Sequence, residues 1–297
     1  MPLTMEDEYT HQSVLLKEVL DLLVAGEGGT YLDATLGLGG HTEGLLERSP
    51  KAHVLAVDTD PEALSHARRR LAAHAGRLRT VRGNFRDLAK ILAGEAPLSG
   101  ALFDLGVSSL QLDKPSRGFA FRFEGPLDMR LDPAGPLTAA RIVNEWPAEQ
   151  IELLLREFGE ERAARKIARW IVDAREHAPF ETTTQLAEMI AQRLPRASGI
   201  HPATKTFMAL RIAVNQELEA LTRGLEGVLS HLEPGARLAV ISFHSLEDRI
   251  VKNLFKSLVE HGQCSHVTDS PVRADLAETS MNPRARSAKL RVVERRP

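Results

Sequence analysis

The stretch YLDATLGLGGH, Tyr31 to His41, decides how the whole chain is read. Tyr31 and Leu32 form a short buried strand that closes on an acid, Asp33, and a glycine-rich turn follows at Gly37, Gly39 and Gly40. Leu45 and Leu46 then mark a helix. Glycines suit a backbone that turns sharply and approaches a ligand with no Cβ in the way. The helix directs the positive end of its dipole and its first N–H groups into the same space. A dinucleotide fingerprint G-x-G-x-x-G starting at Gly37 requires glycine at position 42, where the chain has Thr42. An acid at the strand end also suits an ammonium group better than a pyrophosphate. On this stretch alone, a glycine turn with no ligand is the alternative.

Composition sets the bounds. The chain has 297 residues, 43% of them hydrophobic, enough for one large domain or a domain carrying an insertion. Its single cysteine, Cys264, excludes a disulfide framework and a clustered thiolate metal site. The histidines are scattered without an H-x-x-x-H or H-E-x-x-H grouping, so no metal is expected. The opening MPLTMEDEYTHQ is acidic and polar, and no run approaches transmembrane length. A cytoplasmic protein with no membrane partner is expected. The net charge of −2 gives no overall footprint for nucleic acid. Arginine clusters at Arg68 to Arg70, at Arg77 to Arg86 and from Arg284 to Arg291 read first as solvated faces.

His11 to Leu23 carries a helical apolar face at Val14, Leu15, Val19, Leu22 and Leu23. After the glycine loop, His53 to Asp58 is a buried run of parallel-strand type that again ends on an acid, with Asp60 and Pro61 opening the next helix. Asp58 stands about 20 residues after the glycines, where nucleotide-binding α/β folds place the carboxylate that grips ribose hydroxyls. The spacing favours that role over a helix-approach residue. A third strand begins at Arg79, and Phe85 just past its end either lies against an adenine or fills the core. GALFD, from Gly100, is a fourth strand ending at Asp104. This alternation predicts an α/β fold, a mostly parallel, doubly wound, Rossmann-like sheet with its ligand beyond the carboxyl ends of the strands.

The alternation breaks at Lys114. From there to Pro136 the chain reads as an ordered, irregular loop too apolar for a linker, and Leu137 to Leu194 is helical throughout. Residues 114–204 are therefore expected to form a helical insertion that holds substrate, splitting a discontinuous cofactor-binding domain of residues 1–113 and 205–297. PGARLAVISF is the fifth strand, followed by a helix with Ser245 as N-cap and Asp248 as its capping-box partner. Residues 261–286 read as a polar loop, and SAKLRVVER as a closing antiparallel edge strand.

Asp33 ahead of GLGG resembles the nucleotide loop of S-adenosylmethionine (SAM) methyltransferases, whose ligand carries no phosphate. The blocks HQSVLL, DATLGLGGH, DLGVSS-x-QLD, RGFAF, GPLDMR, HPATKTFMALRIAVNQEL, ISFHSLEDRIVK and NPRARSAKLR make the likeness specific. In this order, from His11 to the C-terminus, they resemble the bacterial 16S rRNA cytosine-N4 methyltransferases, the RsmH or MraW family. The resemblance implies a class I SAM methyltransferase with a Rossmann-like core and a helical insertion. It also implies SAM as methyl donor and 16S rRNA, within the small ribosomal subunit, as partner. The target is the exocyclic amine of one decoding-centre cytosine, position 1402 in the family's usual naming. Carried over by position, the cofactor contacts fall on Gly39, Gly40, His41, Asp58, Phe85, Asp104 and Gln111. Leu38 is a small departure, since relatives often carry a polar or basic residue there.

Cytosine N4 is a poor nucleophile because its lone pair is delocalised into the ring. A catalyst must hold the methyl in line and draw out an N–H hydrogen so that the pair localises. Many amino-methyltransferases use an Asp/Asn-Pro-Pro-aromatic turn after the fourth strand, but here the chain reads Asp104-Leu105-Gly106-Val107. A stacking platform must come from elsewhere, with Phe119, Phe121 and Phe123 as the candidates. Asp104, anchoring the amine or the cofactor, and His244, as proton acceptor or base contact, are the catalytic candidates. A helix-entry histidine is the plain alternative for His244. Asp128 is a third candidate, with a capping or Arg-paired role as its alternative. The target base must be unstacked to be reached, and Arg117, Arg122, Arg130, Arg211, Arg284 and Arg286 are the first places to look for RNA contacts, each reading equally as a surface or ion-paired arginine. Two other classes stay open: an amino-methyltransferase on another nucleic acid, and a catalytically silent SAM- or ribosome-binding module. Apolar helix faces near either terminus are compatible with internal burial or with a homodimer.

Overall fold

A computed structural model describes residues 13–24, 26–195 and 199–297. Its strands are β1 (Gly28–Asp33), β2 (Lys51–Asp58), β3 (Leu78–Arg82), β4 (Leu98–Asp104), β5 (Leu232–Ser242), β6 (Cys264–His266) and β7 (Lys289–Arg295). They form one sheet in the order β3-β2-β1-β4-β5-β7-β6. Pairings from β3 through to β5 are parallel, and β7 runs antiparallel to both β5 and β6. This is the mostly parallel, doubly wound, Rossmann-like α/β sheet that the alternation predicts. The order reverses between β1 and β4, so their carboxyl ends flank the crevice where such sheets take ligands.

The strands are apolar on both sides because helices cover both faces of a parallel sheet. Alternate residues serve alternate faces. Leu55, Val57, Ala101, Phe103 and Val240 enter one core, and Val54, Ala56, Leu102, Ala239 and Ile241 the other. Phe103 is fully buried in the first of these.

By internal contacts the chain divides into two units. One runs up to Gly106 and resumes at Glu219–Pro297, and the other is Val107–Leu218. The second unit reaches further at both ends than residues 114–204. Val107 and Leu112 at one end, and Phe207, Ala209 and Leu210 at the other, pack with Ile142, Ile151, Ile167 and Ile190 in its helical core. Helices Ala139–Glu145, Ala148–Gly159, Ala164–Arg175, Thr183–Ala191 and Thr204–Asn215 build it.

Three local expectations need correction. The strand β7 is not the edge, because β6 pairs outside it. The span 261–286 is more than a polar loop. Besides β6 it holds a helix at Leu276–Met281, and buried Cys264 joins the core. Helix Ser245–Glu260 is capped one residue earlier than expected, by His244, with Glu247 closing the box. Histidine is not among the favoured caps, which drew the reading to Ser245. His11 and Gln12, where the predicted first helix begins, lie outside the described residues, and the first described helix is Leu16–Leu23.

Asp248, displaced from the cap, accepts from Lys289 Nζ at 2.6 Å and Arg291 Nε at 2.7 Å, which ties helix Ser245–Glu260 to β7. Burial alone pushes its carboxyl up, but the Arg291 and Lys289 bonds outweigh that and hold it below the ordinary 3.8. The stability it contributes is therefore present above that value and lost as pH falls through the depressed one. Asp248→Ala strands two half-buried cations. It should cost about 3 kcal/mol in urea unfolding at pH 7, with the deficit shrinking in acid.

Candidate cofactor cradle and active site

The glycine turn is tied down by two carboxylates. Asp33 is buried at the end of β1, where Thr42 Oγ1 donates to its Oδ2 at 2.6 Å and Thr35 N to its Oδ1 at 3.1 Å. Burial raises its pKa, with the Thr42 and Thr35 bonds pulling the other way. Thr42, the residue that broke the dinucleotide fingerprint, thus has a structural task. Thr35 Oγ1 in turn accepts from Asp104 N at 2.7 Å, joining the turn to the end of β4.

Asp58 holds the turn from the other side. Its Oδ2 accepts from Gly37 N at 2.7 Å and its Oδ1 from Asp60 N at 2.8 Å. The turn closes with Gly39 N donating to Leu36 O at 2.8 Å. Helix Gly40–Arg48 makes its first bond from Glu43 N to Gly39 O, so the three N–H groups ahead of it are not used by the helix itself. Gly39 (φ +82) and Gly40 are not there for ligand approach alone. A Cβ on Gly39 would sit 2.9 Å from Leu71 Cδ1, and one on Gly40 2.1 Å from Ser13 Oγ. Gly37, at φ +52, is the one of the three where an added Cβ would meet only an ordinary contact, Thr35 O at 3.8 Å.

His41 is buried. Its Nε2 donates to Val14 O at 3.0 Å, and its Nδ1 lies 3.4 Å from Asp104 Oδ2. Phe85 is half-buried and packs edge-on against Phe103 with centroids 5.7 Å apart, beneath Gly224, whose Cβ would strike its ring at 2.9 Å. One side of Phe85 therefore belongs to the core.

Asp104 is the most unusual group. Burial, then the charges of Asp33 and Glu247, raise its pKa well above 3.8. Among the described residues, three buried side-chain atoms have no hydrogen-bond partner: Asp104 Oδ1, His244 Nε2 and Thr206 Oγ1. Two of these belong to the residues singled out for catalysis. His244 is also a helix cap, with Nδ1 accepting from Glu247 N at 3.4 Å and Nε2 lying 3.2 Å from Glu247 Oε1. Glu247, buried and acting on both Asp104 and His244, escaped the sequence reading. Its only signal is its place three residues after an uncommon capping residue.

The structure gathers Gly39, Gly40, His41, Asp58, Phe85 and Asp104 on the sheet unit. Gln111 belongs to the second unit, where its Oε1 accepts from Ser108 N at 2.9 Å in the capping box of helix Ser109–Asp113. Asp128 is held by Arg130 at 2.6 and 2.8 Å, the Arg-paired alternative.

The model of the MraW methylase family matches residues 8–296. The chain belongs to that family. Similar relatives include proteins named ribosomal RNA small subunit methyltransferase H. That of Thermomicrobium roseum is 49% identical, spanning 96% of this chain and 94% of its own. Those of Trichlorobacter lovleyi (47%; 97% and 99%) and Symbiobacterium thermophilum (48%; 96% of each) are alike. Among solved structures, an rRNA methylase from Streptococcus thermophilus matches at 13% identity and a TM-score of 0.44, over 95% of this chain and 94% of that one.

In this MraW-family chain the Asp33 tie makes a direct stability prediction. Thr42→Val keeps the shape but leaves a buried carboxylate oxygen without its donor. It should lose about 1–3 kcal/mol in chemical denaturation, and Thr42→Ser should recover most of it.

Proposed function

We propose that this chain transfers methyl from SAM to the exocyclic N4 amine of one cytosine in 16S rRNA, the decoding-centre cytosine of the family, with the small ribosomal subunit as substrate and Val107–Leu218 as the substrate-holding unit. The observation that carries the reading is Asp104 Oδ1, a buried acceptor with no partner at the end of β4. The names of the relatives, all small-subunit rRNA methyltransferases, favour the RNA. No described helix is long and apolar enough to cross a membrane, and the cytoplasm is where such a substrate is made.

The residues suit a cationic, phosphate-free nucleoside. Asp33, Asp104 and Glu247 concentrate negative charge, and a sulfonium or ammonium relieves it. Asp58 offers its carboxylate to ribose hydroxyls, and the part of Phe85 left exposed suits the adenine. SAM supplies an electrophilic methyl on sulfur. Asp104 Oδ1 accepts a hydrogen from the cytosine amine, which localises the lone pair on nitrogen. Bound there, SAM would give up the methyl and keep the C–S electron pair, and Asp104 would take the spare N–H proton of the methylated nitrogen. A carboxyl with raised proton affinity suits that task, while the nearby positive charge keeps it ionised beforehand. His41, fixed by Val14, steadies Asp104 Oδ2. His244 Nε2 carries the ring proton, because Nδ1 accepts from Glu247 N, and it faces the same charge cluster as a donor beside Glu247 Oε1.

Asp104→Ala should abolish methylation of small subunits lacking the mark, read by mass spectrometry of 16S rRNA. Asp104→Asn should lose roughly 10²–10⁴ in kcat while still binding SAM. A rate near wild type removes Asp104 from the chemistry, and methylation of duplex DNA in preference to small subunits overturns the substrate.

Burial lifts Asp58 from 3.8 to about 6 in the free protein, against the opposing bonds from Asp60 and Gly37. Its ionised form costs the fold about 3 kcal/mol above that pH, and stability from this group rises as pH falls. Ligand affinity moves the other way. SAM binding by calorimetry should weaken below pH of about 6, approaching tenfold per unit, and Asp58→Asn should flatten that profile.

A further inference from the structure

The loop between Lys114 and Pro136 spends most of its side chains on itself. Phe119 is buried, and Phe121 packs 4.6 Å from the His201 ring and 4.8 Å from that of Phe207. Arg117 donates to the carbonyls of Arg130 and Leu131 at 3.0 and 3.1 Å, and Arg130 holds Asp128. Arg122 pairs with Asp113. The exception is Phe123, 48% exposed, with the Arg122 guanidinium 5.1 Å from its ring centroid.

The mount beneath that ring is rigid. Fully buried Thr183 donates its hydroxyl to Phe123 O at 2.9 Å and accepts from Gly125 N at 3.2 Å, while Thr183 N donates to Gly125 O at 2.8 Å. A Cβ on Gly125 would lie 1.9 Å from Pro115 O, so the backbone is seated with no slack. A singly exposed apolar side chain is ordinary by itself, but a ring on a rigid mount beside a guanidinium is pre-organised to meet a planar partner at little entropic cost. Stacking a planar partner makes sense of it, because every nucleobase has a π-face and an aromatic or guanidinium plane takes any of them.

We propose that Phe123, with Arg122 held beside it by Asp113, is a stacking platform for an unpaired RNA base next to the target. The proposal rests on the RNA reading above. The arginines of this loop are committed to carboxylates and carbonyls, so the platform adds stacking rather than phosphate neutralisation, and it leaves the salt dependence of binding unchanged.

The test uses the full chain. Phe123→Ala should raise KM for unmethylated small subunits about tenfold or more, with kcat, SAM affinity and melting temperature unchanged. Phe123→Trp should retain wild-type KM and Phe123→Leu should not, since leucine replaces the area but not the π-face. A KM unchanged in the alanine variant, or restored by leucine, overturns the platform. Fluorescence anisotropy with a single-stranded oligonucleotide spanning the target gives an independent readout. If the wild type methylates no small subunits, the proposed reaction falls, but the oligonucleotide still decides the platform. Binding that weakens about tenfold in Phe123→Ala with an unaltered salt slope supports it. Equal binding by the two proteins, or none by the wild type, overturns it.

Discussion

A single short hydrogen bond, Thr42 to Asp33 at 2.6 Å, governs the arrangement of the sheet unit's functional end. A carboxylate buried at a strand end is costly unless its oxygens are met by donors. Here Thr42 and the Thr35 amide meet them, and Thr35 passes the restraint on to the Asp104 amide. The ends of β1 and β4 and the start of helix Gly40–Arg48 are thereby fixed in one piece. With Asp33 internally satisfied, Asp104 is left as the unmatched carboxylate. A site needs one polar atom held in place and unsatisfied, and neighbours that are satisfied are what hold it there.

Charge shapes the same region. Asp33, Asp58 and Asp104 are wholly or partly withdrawn from water with no arginine or lysine paired to them in the described contacts, whereas Asp128 and Asp248 are neutralised by Arg130 and by Lys289 with Arg291. The first set has proton affinities pushed up where a shift is seen, and the second has them pulled down. The contrast separates carboxylates met by amides, a hydroxyl or an imidazole from carboxylates neutralised by cations.

Much of this was legible in the order of residues. Hydrophobic runs ending on Asp33, Asp58 and Asp104 located three strand ends, because buried parallel strands read as unbroken apolar segments. The interruption after Asp104 announced the helical unit, although its limits moved outward. Val107 and Phe207 belong to it through packing, which periodicity does not record. The cap at His244 and the edge strand β6 were illegible for a related reason. One uses an uncommon capping residue, and the other is three residues long and exists only because β7 offers it hydrogen bonds. For Arg117, Arg122 and Arg130 the sequence leaves RNA contact and ion pairing equally open, and their described partners are carbonyls and carboxylates brought near by the fold. The glycines carry a second reason that the order of residues does not show, since Leu71 and Ser13 stand where a Cβ on Gly39 or Gly40 would go.

The position of β4 has a consequence for biosynthesis. It lies between β1 and β5, and Leu105 N is satisfied by Ile241 O. Yet β4 ends at Asp104 and β5 begins only at Leu232, after the whole helical unit has been made. During translation the half-finished sheet therefore ends in a bare, adhesive border beside the future reaction centre. Domains otherwise able to fold as they emerge must wait here for their last third. While the insertion is being synthesised the β4 edge that β5 later covers has no partner strand, and such an edge invites non-native pairing.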